Sequence, residues 1–63
     1  MTDPFSSIAV GDTIKWNSVE HAVIEKTNSQ IILATKKHND EVRVDKETVN
    51  EFFTSDAIQF EVI

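Results

Sequence analysis

Most of this chain is written in a period of two, and one short stretch near its end is not. Thr13–Trp16, Glu41–Val44 and Ala57–Ile63 alternate apolar with polar residues, the pattern of a strand with one face inward. The stretch DKETVNEFF breaks that pattern: Val49, Phe52 and Phe53 stand at i, i+3 and i+4, one stripe of a helix. A chain of strands that inserts one or two helical turns before its last strand needs a corner at that point. This single interruption narrows the fold more than any other feature.

The remaining punctuation fits around it. Val10-Gly11-Asp12 holds the only glycine and opens a first strand, Thr13 to Trp16, on which Ile14 and Trp16 share a face. Asn17-Ser18 is a turn, and a second strand runs from Val19 to Lys26. Thr27-Asn28-Ser29 is a polar hairpin loop. The third strand, Gln30 to Thr35, carries the unbroken apolar run Ile31-Ile32-Leu33-Ala34. Such a run suits a strand covered on both faces or bent sharply, and a one-residue slip of register reads equally well. Lys37 to Asp40 make a turn, and Val42 and Val44 of the fourth strand point inward. Asp45 is placed to cap the helix and Glu47 to complement its dipole. Thr54-Ser55-Asp56 stop it. The last strand directs Ile58, Phe60 and Val62 inward and Gln59 and Glu61 outward. Residues 1–9 read as a loose lead-in, because Pro4 and two serines discourage regular structure, and residues 10–63 as one small domain.

Size sets the energetics. A chain of 63 residues buries only about 60% of the surface its unfolded form exposes. Without cysteine it has neither a disulfide nor a thiolate metal site, so apolar packing, helped by self-association, must hold it. There is no basic segment followed by an apolar one at the N-terminus and no run of roughly 20 apolar residues. The expectation is a cytoplasmic protein with no membrane contact.

Four strands in a meander, a helical turn and a fifth strand make an order that resembles the SH3-like small barrels, a class including SH3, Tudor, chromo-barrel and KOW-type domains. The resemblance spans about residues 10–63 and rests on element order and on the Val10-Gly11-Asp12 entry. It implies an all-β fold, a five-stranded barrel or curled antiparallel sheet with one short helix near 46–53. There the helical turn swings the chain across the barrel mouth, so that the fifth strand lies beside the first. The structural alternative is a sheet packed under a longer C-terminal helix.

Catalytic chemistry has little to work with. His21 and His38 are the only histidines, the serines sit in loops, and nothing holds a base against a nucleophile. The reading is therefore of a non-enzyme without cofactor or metal, with His21 on the surface of its strand. Phosphate cradles need more than one glycine. An aromatic cage for methylated lysine needs several free rings, and a Pro-rich-peptide groove needs tyrosine. Trp16 is read as core.

Charge is more informative. Eleven acidic residues face six basic ones, a formal net charge of −5. Asp45, Glu47, Glu51, Asp56 and Glu61 crowd the C-terminal third against Lys46 alone. With Phe52 or Phe53 as an apolar anchor, this end is the candidate protein-binding surface. Such a row imitates phosphates, and in size and sign the chain resembles the small acidic DNA-mimic inhibitors made by bacteriophages. The function expected is non-catalytic binding of a basic, nucleic-acid-binding protein. The alternative is direct nucleic-acid binding through Lys36, Lys37 and Arg43 of the next hairpin, and a homodimer is compatible with either.

Overall fold

The computed structural model describes residues 3–63; Met1 and Thr2, and the part of the lead-in reading that falls on them, lie outside it. Five strands, β1 (Thr13–Trp16), β2 (Val19–Lys26), β3 (Gln30–Thr35), β4 (Glu41–Asp45) and β5 (Phe60–Val62), form one antiparallel sheet in the order β4-β3-β2-β1-β5. Helix α1 (Lys46–Thr54) carries the chain from the β4 edge to the β5 edge. β5 pairs with β1, as the corner reading requires, but β4 and β5 do not pair, so the sheet is open rather than a closed barrel.

The turns explain the register. Asn17 and Ser18 take φ values of 49° and 70°, a two-residue link whose left-handed residues match the twist of the strands it joins. Gln59 holds this link: its side-chain Oε1 accepts from Ser18 N at 2.8 Å, and its carbonyl accepts from Asn17 N at 2.8 Å. Gly11, at φ 98°, makes the turn before β1, where an L side chain would be strained.

A bulge at Ile24 interrupts the β2–β3 register between Val23 and Glu25. A bulge bends its strand, and the extra residue also exchanges the two faces beyond it. Strict alternation from Val23 would turn Glu25 into the core. With the bulge, Glu25 points out, Lys26 points in, and Ile24 is left 44% exposed.

One face of the sheet is covered. Ile14, Val23, Ile31, Leu33, Val44 and Phe60 bury their side chains there with Val49 of α1. The apolar run in β3 resolves accordingly: Ile31 and Leu33 are fully buried toward the helix, and Ile32 is half-buried on the other side. The segment read as a lead-in completes the core. Pro4–Ser7 is a 3-10 helix capped by Asp3, with Phe5 and Ile8 both buried. Proline at its start fixes the backbone φ that such a turn needs, so the residue that argued against structure helps to begin it. The last strand is shorter than its alternation suggests. Ala57 N donates to Ser55 Oγ at 3.2 Å, Gln59 is engaged by the β1–β2 turn, and the strand is Phe60–Val62, with Ile63 N still donating to Thr13 O at 2.9 Å. Val62 is left 41% exposed on the edge strand.

Candidate functional site

The carboxylates read from the sequence do not share one surface. Asp45 and Glu47 stand at the start of α1 and Glu51 in its second half, all exposed. Glu47 and Glu51 are one turn apart on its outer side, opposite the flank that buries Val49. Asp56 lies past the far end of the helix, beyond the extended C-cap residue Ser55. Glu61 alternates with Phe60 and therefore points from the uncovered face of the sheet, in register with Lys15. Asp45 stands at the N-cap position but makes no side-chain cap hydrogen bond, contrary to the role read for it. Its backbone is still the last of β4, and the first helical amide, Lys46 N, donates instead to Ser29 O at 2.7 Å.

Lys46 decides the charge of this end. Its ammonium is turned to Asp3, 3.6 Å away, on the flank where Asn50 Oδ1 accepts from Phe5 N at 3.1 Å. Asp3 also accepts from the Ser6 hydroxyl at 2.6 Å and from Ser6 N at 2.9 Å. These bonds, with Asn50 and Lys46 adding to them, hold its carboxyl at about 2 against an ordinary 3.8. The one cation among the last nineteen residues is thus matched by a carboxylate from the N-terminus. Among the described residues none of Asp45, Glu47 and Glu51 has an ion-pair partner. An open depression of about 360 Å³ lies beside Asp45 and Glu47, its lining completed by Ser29, Lys46 and Asn50.

The basic set is scattered by comparison. Lys36 faces Glu20 at 3.8 Å across the β2–β3 hairpin. Lys37 is exposed in the following turn, and Arg43 projects from β4 between Glu41 and Asp45. These three side chains form no uninterrupted positive surface.

The aromatic residues are used on one another. Trp16, Phe52, Phe53 and Phe60 interlock with ring centroids 5.1–5.5 Å apart, Phe53 standing edge-on to Phe60 at 88°. Phe52 and Phe53 are both half-buried, so neither is a free-standing anchor, although each keeps an accessible edge. His21 is not on the surface. It pairs with Ile14 on the covered face, is 6% exposed, packs on Trp16 at 5.5 Å, and sets Nδ1 2.9 Å from Val19 O. The signal was present: Val19, His21 and Val23 lie on one face of an alternating strand. His38 is exposed in the β3–β4 turn.

Sequence reading missed Lys26 and Asn50. Lys26 Nζ donates to Phe5 O at 3.0 Å and Ile8 O at 2.6 Å and lies 4.8 Å from the Phe5 ring centre. Among the described residues no helix is long and apolar enough to cross a membrane. No protein-family model matches the chain, and neither does any curated protein or solved structure.

Proposed function

We propose that this chain is a non-catalytic protein-binding module that modulates or inhibits a basic, nucleic-acid-binding protein. The contact surface is the exposed side of α1 and the end of β4, with Asp45, Glu47 and Glu51 presented to lysine and arginine side chains of the partner. The observation that carries this reading is the pairing of Lys46 with Asp3 at 3.6 Å, which leaves those three carboxylates uncompensated. The helix also gives something up to keep them. Like charges one turn apart cost about 0.2–0.5 kcal/mol, and Glu51 stands near a helix end that has no basic residue. Asp56 and Glu61 lie outside this surface, which limits the likeness to a row of phosphates to one short segment.

The test is capture from lysate with the tagged protein, with and without nuclease, identifying protein and nucleic acid in the eluate. The reading expects a basic protein that remains after nuclease and is displaced by added DNA. Nucleic acid as the main bound species, with proteins lost on nuclease treatment, would favour Lys36, Lys37 and Arg43 instead.

A further inference from the structure

We infer that the free edge of β4 is a self-association site, at which a second copy of this chain adds its own β4 antiparallel about a two-fold axis through Val42. The inference is independent of the acidic helix surface.

The backbone fixes which residues face the edge. Thr35 N donates to Asp40 O at 3.0 Å and Lys46 N to Ser29 O at 2.7 Å, one bond on either side of the β3–β4 ladder. The register between them runs from Ala34↔Glu41 to Gln30↔Asp45. In an antiparallel pair, opposed residues alternate between those that exchange hydrogen bonds and those that do not. Val42 and Val44 therefore bond toward β3. Glu41, Arg43 and Asp45 turn their N–H and C=O groups to the open side, and β4 is the terminal strand of the sheet.

The side chains then choose the register. A two-fold axis through Arg43 would set Arg43 against Arg43 and Glu41 against Asp45, like charge against like throughout. An axis through Val44 gives Arg43 opposite Asp45, but Val44 is already 4% exposed and α1 begins at Lys46, so the ladder gains no apolar contact and runs out. An axis through Val42 sets Glu41 opposite Arg43 twice. Both are pairs whose backbones exchange hydrogen bonds, and all four side chains project from the uncovered face. On the other face Val42, half-buried in one copy, meets Val42 of the second at the close spacing of a non-hydrogen-bonded pair. Within one chain Glu41 and Arg43 have no ion-pair partner among the described residues, so both are available to the second copy. The ladder ends where Asn39 turns at φ 57°. So short a pairing buries little surface and belongs with weak, reversible interfaces.

The experiment is sedimentation equilibrium from about 10 µM to 1 mM, with amide exchange followed by NMR at both ends of that range. The wild-type chain is expected to dimerise as concentration rises, with the Glu41 and Arg43 amides gaining protection only in the dimer. Arg43→Glu makes both charge pairs repulsive and is expected to weaken association about tenfold or more. The swap Glu41→Arg with Arg43→Glu restores opposite charges and is expected to recover it. Circular dichroism confirms that each variant is folded, all changes being at exposed positions. A chain that stays monomeric at about 1 mM with freely exchanging edge amides would overturn the inference, leaving the edge to solvent or to a foreign strand. Equal association of wild type and Arg43→Glu, or a swap that fails to recover it, would overturn it as well.

Discussion

At the residue scale, two polar side chains from outside the apolar pattern do the joining. Lys26 satisfies the carbonyl of Ile8 just past the N-terminal turn and adds a second donor to that of Phe5, which also accepts from Ile8 N at 3.2 Å. Lys26→Met keeps the stem over Phe5 and removes both bonds, and denaturant unfolding should show a loss of about 1–3 kcal/mol; an unchanged midpoint would show that water serves those carbonyls equally well. Asp3 works at the same junction. Its carboxyl is held at about 2, so the stabilisation it gives is present above its ordinary value of 3.8 and is lost as pH falls from there through 2. Carboxyl NMR should place its midpoint near 2, and Asp3→Asn should flatten the acid limb of stability against pH. A midpoint at the ordinary value would show that the Ser6 bonds are not maintained in solution. The Lys26 role is not visible in the sequence, because it joins residues far apart in the chain, whereas Asp3 and Ser6 stand at the local spacing of an N-cap.

At the element scale, α1 is positioned by what it covers rather than by its ends. Val49 is fully buried and the half-buried Phe52 and Phe53 rest on Phe60 and Trp16, whereas the N-cap side chain is unused. Asp45→Ala should therefore cost under about 0.5 kcal/mol, less than the roughly 1 kcal/mol of a working cap. Glu51→Lys replaces a like-charge pair by Glu–Lys at i, i+4 and should raise stability by about 0.5 kcal/mol, measured by thermal unfolding. Strands β1 to β4, the turns between them and the helix were legible in the sequence because period and punctuation agreed there. The failures have two causes. The Ile24 bulge and the shortened β5 depend on which distant residue lies opposite, and local pattern carries no such information, whereas the inward His21 and the Asp3-capped turn at Pro4 had local signals that were given too little weight. At the candidate site, composition located the acidic end, but only the register separated Glu61 from Glu47 and Glu51.

At the scale of the whole molecule, charge is sorted by face. Across the uncovered side of the sheet Glu61, Lys15, Glu20 and Lys36 follow one another with alternating sign, three by strand register and the last by the 3.8 Å ion pair. Of these, Lys36 and Glu20 come within ion-pair distance. The net charge of −5 includes Asp45, Glu47 and Glu51, none of which has an ion-pair partner among the described residues. That concentration of unanswered charge is the central claim, and charge reversal addresses it most directly. Three tagged baits, wild type, Glu47→Lys with Glu51→Lys, and Lys36→Glu with Lys37→Glu, would be compared in nuclease-treated lysate, with each captured protein quantified by mass spectrometry. The account predicts a basic protein held equally by the wild type and the lysine-reversed bait, and reduced about tenfold or more on the glutamate-reversed bait. Loss on the lysine-reversed bait alone, or equal capture by all three, would contradict it.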